Sequence, residues 1–97
     1  MPQVKLSQQA VQDIERLYNF LKKASPNSAK LAISTIRQAF TPLKTMPFIG
    51  KELEENHELR ELIIKFGNSG YVALYKYYDM SNEIVILAIR HQKEVGY

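Results

Sequence analysis

The chain has 97 residues, 13 Lys+Arg against 10 Asp+Glu, a formal net charge of +3 and a hydrophobic fraction of 45%. That length fits one domain over residues 1–97, with one modest core and no room for a separate cofactor-binding domain. The chain has no cysteine, which excludes disulfide frameworks, thiolate zinc sites and thiol catalysis. A metal centre built around the two histidines, His57 and His91, would need mostly carboxylate ligands, so no metal and no other cofactor is expected.

No apolar run approaches the roughly 18 residues of a membrane span. Met1 to Leu6 lacks the apolar core of a secretory signal, so the expected location is cytoplasmic, without membrane contact. The positive surplus sits in residues 1–56, with eight basic and five acidic side chains, against five of each in residues 57–97. An excess this small does not by itself indicate nucleic-acid binding.

Val4 and Leu6 suggest a short strand before Ser7, whose hydroxyl suits a helix N-cap. Val11, Ile14, Tyr18 and Leu21, widened by Ala10, Leu17 and Ala24, recur at helical spacing and predict an amphipathic helix over about residues 8–24. Ser25-Pro26 restarts the chain with a capping serine and a proline at the first helical position. Ala29, Ile33, Ile36, Phe40 and Leu43 predict a second helix over about residues 26–41, which Pro42 ends or kinks. The short link between the helices makes an antiparallel hairpin.

Residues 48–56 read as a loop. Three strand-like runs follow: Leu59 to Phe66, Tyr71 to Tyr78 and Ile84 to Arg90. Gly67-Asn68-Ser69-Gly70 and Asp79-Met80-Ser81-Asn82 are turn formers between them, so the runs form an antiparallel meander. The predicted fold is α+β, with a short N-terminal strand, a helical hairpin and a three-stranded antiparallel meander, the helices packed on one sheet face.

Both sheet faces read as apolar. Strict alternation sends Val85, Leu87 and Ile89 one way and Ile84, Ile86 and Ala88 the other. Two helices cover one face, which leaves the other for a partner, a second copy or a folded-back segment from His91 to Tyr97. Arg60, Lys65, Lys76 and Arg90 lie in or beside the strands. They form a basic patch for phosphate or carboxylate, or else Arg60 and Arg90 pair at the rim with Glu61, Glu83 or Glu58. His91 has the chemistry of a general base but no aspartate nearby in sequence. Tyr71, Tyr75 and Tyr77 share one strand face, and packing beneath helices is preferred to base stacking. The four glycines fit neither nucleotide-binding fingerprint, and Glu52, Glu54 and Glu55 read as a solvated acidic loop.

Several segments in this order resemble the RelE/ParE superfamily of toxins from bacterial type II toxin–antitoxin modules. They are Ala10-Val11-Gln12-Asp13-Ile14, Leu43 through Pro47 to Gly50, Leu59-Arg60-Glu61-Leu62, Gly70-Tyr71 through Leu74-Tyr75-Lys76, and Ile84 to His91. The resemblance spans nearly the whole chain. It implies a cognate antitoxin protein that masks an apolar groove, with Val11, Ile14, Tyr18, Ile33 and Phe40 as antitoxin-binding residues and operator DNA reached only through the antitoxin.

The superfamily contains two mechanisms. ParE-like members poison DNA gyrase, whereas RelE-like members cut messenger RNA in the ribosome without a metal, holding the phosphate with Lys, Arg and Tyr. Here Lys65 fits one strand lysine, but Ile63 and Val72 stand where RelE-like chains place basic residues. Leu59-Arg60-Glu61-Leu62 is also closer to the ParE-like pattern. The resemblance therefore implies gyrase inhibition, with Arg90, His91, Lys93 and Tyr97 as target-binding residues and no catalytic set. The alternative is a ribosome-dependent endoribonuclease using Arg60, Lys65, Arg90, His91 and Tyr97. A further alternative is an inactive toxin that only binds its antitoxin.

Overall fold

A computed structural model describes residues 1–97. The chain runs β1 (Gln3–Leu6), α1 (Gln8–Lys22), α2 (Pro26–Ala39), β2 (Lys51–Glu52), β3 (Leu59–Phe66), β4 (Ser69–Tyr78) and β5 (Glu83–His91), with a 3-10 turn over Thr41–Lys44. The strands form one mixed sheet in the order β1-β5-β4-β3-β2. β1 lies parallel to β5, and the other neighbours are antiparallel. The α+β architecture agrees with the predicted layers.

The serines start the helices as predicted. Ser7 Oγ accepts from the Ala10 amide at 3.0 Å, and Ser25 Oγ from the Ser28 amide at 3.2 Å. Their hydroxyls satisfy amides that have no partner within the first turn. α1 ends at Lys22, short of the predicted Ala24, which is exposed. α2 ends at Ala39, and Pro42 falls inside the 3-10 turn, so the proline belongs to the exit and not to a kink.

Ala10, Ile14 and Leu17 of α1 and Ala32, Ile36 and Phe40 after them pack on Ile64, Tyr71, Ala73, Tyr75, Ile84, Ile86 and Ile89 of the sheet. The tyrosines on this face serve packing, as expected: Tyr71 and Tyr75 are buried. The Tyr75 hydroxyl donates to the Pro47 carbonyl at 2.9 Å and accepts from the Gly50 amide at 2.8 Å. Gly50 passes so close that a Cβ there would lie 2.6 Å from the Tyr75 ring.

Three features depart from the sequence reading. The 48–56 loop contains β2, whose two residues pair with Arg60 and Glu61. The first turn is tighter than predicted, since Ser69 and Gly70 already belong to β4. Alternation also breaks in β5: Tyr75 pairs with Ile86 while Leu74 pairs with Ala88, leaving Leu87 as an extra residue. This bulge rotates the strand and turns Ile89 into the core, away from the face of Val85.

β1 covers only the first half of the outer edge of β5. Side chains of α1 and of its N-cap cover the rest. Ser7 donates through Oγ to the Leu87 carbonyl at 2.8 Å, the buried Asp13 accepts from the Ile89 amide at 2.8 Å, and Arg16 donates to the Ile89 carbonyl at 3.3 Å. A buried amide without an acceptor costs about 1–3 kcal/mol. Asp13→Ala should therefore lower stability by about 2 kcal/mol, read as a lower urea midpoint at unchanged slope.

Candidate functional site

The end of β5 gathers most of the predicted target-binding residues. Arg90 pairs with Val72 and Ala88 with Leu74, on the sheet face away from the helices. Glu61 and Ile63 of β3 share that face, opposite Leu74 and Val72. The Arg90 guanidinium turns back on its own chain, donating to the carbonyls of His91 at 3.2 Å, Gln92 at 3.3 Å and Glu94 at 2.9 Å. It also lies 4.0 Å from the Glu61 carboxylate and 5.1 Å from the Tyr97 ring centre.

The Tyr97 hydroxyl donates to Glu61 at 2.5 Å. Burial and then this carboxylate push the phenol pKa well above its ordinary value. Residues 92–97 therefore fold back over the sheet and bridge from β5 to β3. The remaining outer face keeps exposed Ile63 and half-buried Leu74, Val85 and Leu87.

His91 sits on the opposite face. Its ring packs edge-on against Tyr71, 5.5 Å between centres. Nδ1 accepts from the Lys93 amide at 3.1 Å, so the ring proton is on Nε2, which reaches Ser69 Oγ at 2.9 Å. Both ring nitrogens are thus occupied within the chain. Lys93 and Lys65 are exposed.

Arg60 is not part of this cluster. It lies on the helix side of the sheet, three residues along β3 from Ile63, or about 10 Å. Its guanidinium donates to the Phe48 carbonyl at 3.0 Å, the Gly50 carbonyl at 2.7 Å and Glu52 at 2.9 Å. The rim pairs differ from those predicted for it. Glu52 takes Arg60, Glu58 takes Lys76 at 2.9 Å, and Glu83 takes Lys5. Hydrogen bonding from His57, assisted by Arg60, holds the Glu52 carboxyl below its ordinary pKa.

The predicted antitoxin-binding residues also divide. Ile14 and Phe40 are core residues, Tyr18 and Ile33 are half-buried, and Val11 is exposed. The larger exposed apolar side chains on the helices are Phe20 and Leu31, at 72% and 62%. Phe20, Leu17 and Leu21 line a groove of about 600 Å³ whose far wall is Tyr71, His91 and Lys93.

Sequence reasoning offered Glu61 as a rim partner of Arg90, which their 4.0 Å approach bears out, but passed over Asp13, Arg16 and Glu94 as parts of this region. The available signal was Asp13 interrupting an apolar helical stripe. Glu94 accepts from the His91 amide at 2.7 Å and from Arg16 at 2.8 Å. Burial works to raise the Glu94 pKa, but the amide and the guanidinium outweigh it and lower the value. A carboxylate with a lowered folded pKa adds stability above its unfolded pKa of about 4.3, and that stability is lost as pH falls through the folded value. The melting temperature of the wild type should therefore fall more steeply between about pH 5 and pH 3 than that of Glu94→Gln.

The family described as "ParE toxin of type II toxin-antitoxin system, parDE" matches residues 4–96. Toxin RelE3 of Caulobacter vibrioides is 33% identical over 94 residues, covering 97% of this chain and 98% of that protein. The fold is shared with the chromosomal ParDE system of P. aeruginosa, with a TM-score of 0.76 at 22% identity over 94% of this chain and 96% of that one. It is also shared with the E. coli RelBE toxin–antitoxin complex, with a TM-score of 0.65 at 12% identity over 97% and 100% of the two chains. The chain belongs to the ParE toxin family of type II toxin–antitoxin systems, within the RelE/ParE superfamily.

Proposed function

We propose that this toxin inhibits DNA gyrase through the end of β5 and the segment after it, with Arg90 and Tyr97 making contact from the outer sheet face and His91 and Lys93 from the groove side, and that a cognate antitoxin protein neutralises it. The observation that carries this reading is the separation and internal engagement of the groups that RNA cleavage would need. Arg60 lies on the other sheet face with its guanidinium on loop carbonyls. Arg90 is committed to three carbonyls, and the Tyr97 hydroxyl to a carboxylate.

A phosphodiester approaching the outer face would meet Glu61 between Arg90 and Tyr97. Transition-state stabilisation requires several donors aimed at one developing charge, each worth about 3–4 kcal/mol. Lys65 alone does not supply them. A protein target makes no such demand, and a folded segment that offers the exposed Tyr97 ring suits a protein contact, where tyrosine is enriched. The groove beside Phe20 is the natural place for antitoxin side chains, since it is apolar and open along α1.

A second reading, ribosome-dependent messenger RNA cleavage, is favoured by the 33% identity to a protein named Toxin RelE3. The deciding experiment is gyrase supercoiling and cleavage with ATP in the presence of the purified protein. Loss of supercoiling with accumulation of linear DNA is expected. Deleting Lys93 to Tyr97 should raise the inhibitory concentration at least about tenfold, the loss of roughly 1.4 kcal/mol or more of binding. A folded, growth-inhibiting protein without effect on gyrase would instead direct the assay to translating ribosomes. A folded protein that inhibits nothing yet binds its antitoxin would be the inactive form.

A further inference from the structure

Residues 92–97 are fastened at both ends. At the first, Arg90 caps the carbonyls of His91, Gln92 and Glu94, while Glu94 is held by the His91 amide and Arg16. At the second, Tyr97 reaches Glu61 on β3 and its ring lies against the Arg90 guanidinium. β4 lies between those strands, so the segment crosses it. The return toward β3 passes through Gly96, whose φ of +73° belongs to the left-handed region. Nothing lies within 4 Å of where a Gly96 Cβ would be. Glycine is therefore needed there for backbone conformation and not for space.

We infer that Glu61 is a positioning residue: from β3 it holds Tyr97 against the outer sheet face, so that residues 92–97 meet their target as a preformed surface. This rests on the reading that the segment contacts the target. A loose segment would have to be ordered during binding, and that cost would be subtracted from affinity. Glu61 suits the role because it is partly shielded, lies beside Arg90 and offers an acceptor to a phenol, a charge-assisted hydrogen bond stronger than a neutral one.

The test compares the full-length wild type with Glu61→Ala, Glu61→Gln and Gly96→Ala, using amide exchange in β3 and β4 to verify the fold. Backbone ¹⁵N order parameters are measured for Val95 to Tyr97, and gyrase inhibition is measured on the same samples. In the wild type these order parameters should approach the rigid value of about 0.85, and in Glu61→Ala and Gly96→Ala they should fall below about 0.6. A left-handed conformation disfavours alanine about 5- to 30-fold, and inhibition should weaken by a similar factor in both variants. Glu61→Gln, which keeps an acceptor, should stay within about threefold of wild type.

Unchanged order in Glu61→Ala would overturn the inference. So would lost order with unchanged inhibition, because the segment would then need no positioning. If the wild type leaves gyrase untouched, the gyrase reading falls by itself. The order parameters still read the Glu61 contact, and growth inhibition replaces gyrase as the functional arm.

Discussion

The unpaired edge of β5 is the constraint on which the rest of the molecule depends. β1 supplies backbone partners only as far as Ile86. Beyond that point a hydroxyl, a carboxylate and a guanidinium from Ser7, Asp13 and Arg16 stand where a neighbouring strand would be. Buried backbone groups must find partners, so α1 is keyed to β5 at a fixed height and rotation. Arg16 then reaches Glu94 as well. The groove beside Phe20 is the space left between a helix placed by these bonds and the end of the sheet.

The two ends of the sheet use similar chemistry for different purposes. At one end Tyr75 and Arg60 bind loop carbonyls and amides and freeze the chain from Pro47 to Glu52. At the other, Arg90 does the same for the last turn. Arg60, Lys76 and Arg90 are all engaged within the chain, and Lys65 remains exposed on its strand. A basic residue in a strand is thus a poor measure of charge offered to a phosphate. Arginine in particular is suited to multiple carbonyl acceptors because its donors are fixed in a plane.

Local features were legible in the sequence and non-local ones were not. The apolar stripe through Ala10, Ile14 and Leu17, the caps at Ser7 and Ser25, and the bounds of β3, β4 and β5 to within two residues follow from periodicity and turn chemistry. β2 escaped notice because two residues carry no period, and only their register with Arg60 and Glu61 makes them a strand. The bulge at Leu87 is invisible to a strict period of two, which is why Ile89 was assigned to the wrong face. Arg90, His91, Lys93 and Tyr97 were found together because they are neighbours in sequence. Glu61 was expected as a rim partner of Arg90 but not of Tyr97, and nothing local marks Arg16, on a helix distant in sequence, as a partner of that segment.

The parallel pairing of β1 with β5 has a consequence for how the protein forms. Gln3 pairs with Glu83 and Leu6 with Ile86, so the first strand has no sheet to join until the last one exists. Pairings this far apart in sequence are slow to close. During synthesis, at about 5–20 residues per second, Asp13 of α1 emerges 76 residues before the amide it must satisfy, on Ile89. The helical hairpin and the first two meander strands are therefore made while the Asp13 carboxylate, and the apolar side chains that pack on Ile84, Ile86 and Ile89, still lack those partners. The surface built on β5 comes into being only once Glu83 to His91 have emerged, in the same step that closes the core.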